Sequence, residues 1–164
     1  MTTTRVSCSC GRVECAVTGK PIAAAACYCD DCQRGSGQLQ ALPGAAPVLS
    51  ADGGTAYVLY RKDRFGCVQG RELLRDVRLK ESSPTRRVVA DCCNAAMYVD
   101  FEKGHWLSVY RGRIQGEVPA MQMRIQTRFA PHLDRSSSAV PAYRAFSPRL
   151  IAKLLLARIA MLVS

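Results

Sequence analysis

The sequence predicts a mainly β domain closed by a C-terminal amphipathic helix, and three observations carry that reading. Residues 1–115 break into short runs rich in β-branched and aromatic residues, separated by turn formers such as Cys10-Gly11, Asp52-Gly53-Gly54, Gln69-Gly70 and Lys103-Gly104. From residue 116 the punctuation changes to Pro119, Pro131, Pro141 and the Ser136-Ser137-Ser138 run, the mark of irregular chain over a surface. Nine cysteines are gathered in groups, which points to metal ligation more than to core packing. At 164 residues the chain is long enough for one domain with a real hydrophobic core. The expected division is a metal-binding β domain over 1–115, with an irregular segment and helix over 116–164 packing on the same domain.

Taken in order, the strands are expected at 6–8 and 13–17, flanking the Cys10-Gly11 turn, and at 22–26, leading into the first cysteine cluster. Gly35-Ser36-Gly37 then reads as a flexible loop. Tyr57-Val58-Leu59-Tyr60 has the composition of a strand, and further strands are expected at 65–68, 73–79, 88–90, 97–101 and 106–110. Ser147-Pro148 starts a helix, since Ser caps well and Pro suits the first helical position. Ile151, Leu154, Leu155, Ile159 and Leu162 recur along it and are expected to dock as a stripe on the domain. That apolar stretch is only about fourteen residues and carries Lys153 and Arg158, against the ~20 apolar residues that a membrane span requires. No transmembrane segment is expected.

The formal charge is +10, from 23 basic and 13 acidic residues. Clustered bases would point to nucleic acid, but here they are scattered, with neither a long basic tract nor an aromatic-and-basic RNA-binding signature. Nucleic acid is therefore not the expected partner, and an anionic small molecule fits the charge equally well. Residues 1–7 contain no apolar run of the secretory kind. An odd number of cysteines argues against a fully paired disulfide framework, so a reducing, cytoplasmic location is expected. The pattern fixes no oligomeric state.

The cluster Cys27-Tyr28-Cys29-Asp30-Asp31-Cys32 places three thiols within six residues, a spacing that suits one soft metal ion such as zinc. Three protein ligands leave a position for water, a thiol or a carbonyl oxygen, so the site is of the open, catalytic type. Asp30 and Asp31 either accept a proton, complete the metal shell or stand as solvated loop acids. Tyr28 either hydrogen-bonds a substrate or packs on the core. A second group is split along the chain, with Cys8-Ser9-Cys10 early and Cys92-Cys93 late. Alternate residues of an extended chain face the same way, so Cys8 and Cys10 can share an ion and the late pair is the natural supplier of the rest. This site is expected to be structural, because it closes a long loop. Adjacent Cys92 and Cys93 point to opposite faces in extended chain, so both reach one ion only through a tight local turn.

These motifs, Cys8-x-Cys10-Gly11-x-Val13, Cys27-x-Cys29-x2-Cys32 and a late cysteine pair before a short strand, resemble the glutathione-dependent formaldehyde-activating enzymes and centromere protein V-like proteins. Cys27 to Gln33, Gly53-Gly54-Thr55 and Ala90-Asp91-Cys92-Cys93 look like a divergent bacterial subgroup of that family without assigned function. The resemblance covers roughly residues 5 to 110. It implies an Mss4-like zinc-binding β fold with two zinc ions per chain, one structural on the split cysteines and one on Cys27, Cys29 and Cys32. It also implies carbon–sulfur lyase chemistry, the joining of glutathione and formaldehyde into S-hydroxymethylglutathione. Four positions depart from the family pattern. Its late motif is Cys-x-x-Cys-Gly, and alignment on Cys93 puts Ala90 at the first cysteine and Asn94 at the glycine, so that Cys92 stands in for the missing ligand. Tyr28 occupies a position where the family commonly has His, and Gln33 one where it commonly has Arg.

Three readings follow. The first is a zinc-dependent lyase acting on adducts of a glutathione-like thiol and a small aldehyde. The second is a non-catalytic, zinc-stabilised binding module with a basic surface for an acidic partner. The third is a thiol-based metal or redox sensor, for which the surplus cysteines are the argument. His105 and His132 have no ligand-like spacing, and Cys15 and Cys67 read as small buried hydrophobes.

Overall fold

A computed structural model describes residues 2–136 and 138–163; Ser137 of the expected surface run lies outside them, with Met1 and Ser164. Among the described residues the chain forms β1 (Thr3–Ser7), β2 (Glu14–Thr18), β3 (Ala23–Cys27), α1 (Asp30–Gln40), β4 (Thr55–Arg61), β5 (Phe65–Gln69), β6 (Leu74–Val77), β7 (Thr85–Ala90), β8 (Ala95–Phe101), β9 (Trp106–Tyr110), β10 (Met123–Ile125) and α2 (Pro148–Leu162). A small antiparallel sheet has the order β1-β2-β5. A larger one runs β10-β3-β4-β9-β8-β7-β6 and is antiparallel except where β10 lies parallel to β3.

Period-two alternation explains the layering. On β4, Val58 and Tyr60 belong to one core and Tyr57 and Leu59 to the other. The first core lies between the sheets and takes in Val6, Val13, Val17, Met97 and Val109. The second lies on the opposite face of the large sheet, beneath α1 and α2, with Leu39, Val89, Met123, Ile125 and Leu150. A sheet covered on both faces has continuously apolar central strands, and β3, Ala23-Ala24-Ala25-Ala26-Cys27, is buried throughout.

Most strands fall where the sequence places them, and three segments differ. The stretch expected as a Gly35-Ser36-Gly37 loop is the middle of α1. The Cys29 thiol caps that helix by accepting from the Cys32 N–H at 3.4 Å, and Asp30 and Asp31 stand at its positive end. Gly35 is there for space: a Cβ on it would lie 2.1 Å from Nε of Arg87. The segment after Gly116, expected to be irregular, supplies β10, whose Arg124 side chain bonds the carbonyls of Asp134, Arg135 and Val140.

Helix α2 is capped as expected, with Ser147 Oγ accepting from the Leu150 N–H at 3.0 Å and Pro148 in the first turn. Of the stripe expected to dock, only Leu154 does, and it docks beside Leu150. Leu150 and Leu154 face the domain, and His105 Nε2 bonds the Leu154 carbonyl at 2.7 Å, whereas Ile151, Leu155, Ile159 and Leu162 are exposed. Because α2 is apolar on both sides, its periodicity alone did not choose between them.

Candidate metal centres

Alternation at the end of β3 and the first turn of α1 assemble the local cysteine trio. Cys27 closes the strand, Cys29 caps the helix, and the turn returns Cys32 to them, so the three sulfurs lie within 4.8 Å of one another. Hydrogen bonds from the Cys27 and Cys32 thiols, helped by the Cys32 N–H and the charge of Arg87, hold Cys29 down to about 3 against the cost of burial. Cys27 is pushed far up by its bonds to Cys29 and Cys32 and by burial. For Cys32 the bond to Cys27 pulls downward, but Cys29 and burial outweigh it and lift the thiol to about 12. The metal-free trio therefore keeps one thiolate, on Cys29. Three soft donors this close, with one already ionised, fit a divalent ion of zinc's kind.

Asp30 and Asp31 are exposed and stand outside the group of donor atoms within 4.8 Å of one another. Asp31 nonetheless lines the cleft beside the thiols. Tyr28 does not: it is buried, its hydroxyl donates to Asp52 at 2.7 Å, and a Cβ at Gly54 would lie 2.6 Å from its ring. Gln33 donates to the carbonyls of Tyr28 and Phe129. Both side chains tie loops together.

The trio sits in a cleft of ≈ 230 Å³ whose other walls come from β4, β7, β8, β9 and α2. Tyr57, Phe101, Trp106, Leu150 and Leu154 make it apolar, and the Tyr57 hydroxyl reaches Cys32 Sγ at 3.7 Å. One cation joins them. Arg87 is 2 % exposed; its Nη2 donates to the Asp31 carbonyl at 2.6 Å, while Nε and Nη1 have no hydrogen-bond partner among the described residues. Sequence reasoning missed Arg87. The available signal was a charged residue running directly into the apolar Val88-Val89-Ala90 of the strand expected at 88–90.

The split group also converges. Cys8 and Cys10 lie on the turn after β1, where Gly11 has φ +76°, and Cys92 and Cys93 lie on the turn between β7 and β8. Cys10 Sγ is 3.4 Å and Cys8 Sγ 3.8 Å from Cys92 Sγ, and all four sulfurs are mutually within 4.8 Å. The tight turn that adjacent cysteines require is present: Cys93 N–H bonds the Ala90 carbonyl, and Asn94 takes the left-handed conformation at φ +53°. Backbone and side-chain bonds from Arg12, with the thiols around it, lower Cys10 to about 6, while burial and its sulfur neighbours lift Cys92 to about 12. The two remaining cysteines, Cys15 and Cys67, face each other across β2 and β5.

A four-thiol group between the two sheets and a three-thiol group opening into a cleft define a β-core protein with two candidate cysteine-liganded metal centres. Both groups can hold a metal ion. The sequence matches the profile of the glutathione-dependent formaldehyde-activating enzymes over residues 3–128, and the chain belongs to that family, whose fold is Mss4-like. The match takes in every cysteine and ends before α2. A crystal structure of a Rhodobacter sphaeroides protein is similar at 18 % identity and a TM-score of 0.50, over 70 % of this chain and 91 % of that one. At that identity the likeness is one of fold. No curated protein matches the chain.

Proposed function

We propose that the protein is a zinc-dependent carbon–sulfur lyase that makes or cleaves adducts of a glutathione-like thiol and a small aldehyde in a reducing compartment. Cys27, Cys29 and Cys32 would hold the reactive zinc, and Cys8, Cys10, Cys92 and Cys93 a structural one. The observation that carries the reading is a group of three thiols, not four, opening into an apolar cleft that also holds a buried arginine. When bound, zinc supplies Lewis acidity and stabilises thiolate sulfur. The remaining work falls to the chain. Trp106, Phe101, Leu150 and Leu154 keep water from the reacting atoms, and Arg87 adds positive charge where a thiolate must be held. Asp31, at the cleft wall, accepts the proton of the incoming thiol. In the forward direction the sulfur lone pair forms the C–S bond, the aldehyde π pair moves to oxygen, and that oxygen takes up the proton; the reverse restores thiol and aldehyde.

A second reading, a zinc-stabilised binding module, is favoured by one observation. Tyr28 and Gln33, at positions where the family pattern has His and Arg, are engaged with Asp52 and with backbone carbonyls. The basic surface supports that reading less than its charge implies, since Arg61, Lys62, Arg75, Arg78 and Arg86 are in ion pairs. Metal analysis combined with turnover of formaldehyde and glutathione separates the two. The lyase reading expects two zinc ions and a rate that Cys29→Ser abolishes. One tightly held zinc with no rate above the uncatalysed reaction would sink it.

A further inference from the structure

Helix α2 uses one side to cover the large sheet and leaves the other bare. At about 100° per residue, Ile151, Ala152, Leu155, Leu156, Ile159 and Leu162 share an arc of about 140°. The large side chains there range from 49 % exposed at Ile151 to 73 % at Leu162. Phe146, just before the helix, is also exposed and extends the apolar surface. Arg149 and Arg158 fall within about 20° of the two edges of this arc, and both are exposed. The helix carries no acidic residue. Along its Leu156 edge runs a shallow groove lined by Lys20, Arg61, Arg64 and Lys153; Asp63, the acid nearest in sequence, is in an ion pair with Arg61.

We propose that this face seats α2 in the headgroup region of an anionic phospholipid surface, with its axis in the plane of the bilayer. An apolar arc flanked on both edges by arginines is the arrangement in which the apolar side chains enter the acyl boundary while the guanidinium groups reach the phosphates. Among the described residues no helix is long and apolar enough to cross a membrane, so the proposed contact is interfacial. A second copy of the chain is the poorer occupant. Packing two such faces together would gather four arginines along the seam with no acid on either helix, and each chain has a net charge of +10. Phe146 also lines the thiol cleft, so a seated α2 holds one wall of that cleft at the lipid surface. The inference is independent of the metal and of the proposed reaction.

The test is sedimentation of the full chain with vesicles of equimolar phosphatidylglycerol and phosphatidylcholine, and with phosphatidylcholine alone, alongside its mass in solution. The chain should bind the anionic vesicles at least about tenfold more tightly than the neutral ones, and salt should weaken that binding. Leu155→Glu/Ile159→Glu should abolish binding without moving the melting temperature, since both sites are exposed. Arg149→Gln/Arg158→Gln should weaken it about thirtyfold, as expected for two basic residues near an anionic surface. Equal binding to both vesicle types overturns the proposal, as does binding unchanged in the Glu variant. A dimer split by Leu155→Glu/Ile159→Glu, with no vesicle binding, assigns the face to a second copy. Binding to polyaspartate but not to vesicles assigns it to an acidic polypeptide.

Discussion

Replacing Cys92 and Cys93 together by serine removes every sulfur that the β7–β8 turn contributes to the four-thiol group. A metal there joins points 82 residues apart, from Cys10 to Cys92, and 84 residues apart, from Cys8 to Cys92. Closing a loop of that length removes about 4–5 kcal/mol of chain entropy from the unfolded state. An ordinary domain has only about 5–15 kcal/mol of net stability, so the clamp is a large fraction of the whole. For a chain of this size the melting temperature should fall by about 10–20 °C. The matched control is Cys29→Ser/Cys32→Ser. It also removes two thiols and, on the proposed reading, one metal ion, but the trio spans only residues 27–32 and closes almost no loop. Calorimetric melts of the two variants, each with its zinc content measured, give the comparison. The reasoning is refuted if the Cys92/Cys93 variant loses one zinc and melts within a few degrees of wild type, or if the control falls as far.

Three further outcomes are expected. In the variant lacking Cys92 and Cys93, zinc binding to the remaining trio at neutral pH should release about two protons per ion, because Cys29 is ionised beforehand while Cys27 and Cys32 are not; calorimetric titration in buffers of different ionisation enthalpy counts them, and a value near zero contradicts the shared-proton arrangement. Asp100 meets Lys62 at 2.5 Å and Arg86 at 2.7 Å, and although burial alone would raise its pKa, these two cations hold it below the usual carboxylate range. A lowered folded pKa contributes stability above the unfolded value, lost as pH falls through the folded one, so Asp100→Asn should cost about 1–2 kcal/mol at neutral pH and the difference from wild type should shrink in melts taken at progressively lower pH, below the ordinary carboxylate range. Gly35→Ala pushes a Cβ into the Arg87 guanidinium and should cost about 1–3 kcal/mol. Arg87→Met should relieve that cost in a double-mutant cycle, and additive melting shifts would show that the two positions are not in contact.

How much of this was legible in the sequence divides along the range of the forces involved. The strands around Tyr57-Val58-Leu59-Tyr60 and from Trp106 to Tyr110 declare themselves through local composition. Both cysteine groups were visible as spacing, since three thiols in six residues converge wherever the chain turns. Convergence of Cys92 with Cys93 depended on a left-handed Asn94, which no spacing announces. Helix α1 was hidden because Gly35 and Gly37 are poor helix formers; its capping thiol and two leading acids were the signal that outweighed them. The three residues of β10 are a strand because β3 offers an edge and distant carbonyls satisfy Arg124. A terminal helix apolar on both sides defeats periodicity by construction.

The same alternation that builds the trio decides which residues can read a substrate. Along β3 into α1, Cys27 and Cys29 turn toward the cleft, so Tyr28 between them turns away, into the loop carrying Asp52 and Gly54. A change at position 28 therefore acts first on that loop and reaches the thiols only through the backbone. Gln33 likewise spends its amide on two carbonyls that fasten β3 and the segment after β10. What faces the sulfurs comes from elsewhere in the chain: Arg87 from β7, Tyr57 from β4, Trp106 from β9, and Leu150 and Leu154 from α2. Of these, only Arg87 combines a full charge with N–H groups that find no acceptor among the described residues. A buried cation without a counter-ion is costly, and the Cys29 thiolate supplies negative charge in the same cleft. The three thiols and the cation that faces them thus come from separate strands of the large sheet, β3 and β7, so the chemistry of the trio depends on the folded sheet as much as on the spacing of its cysteines.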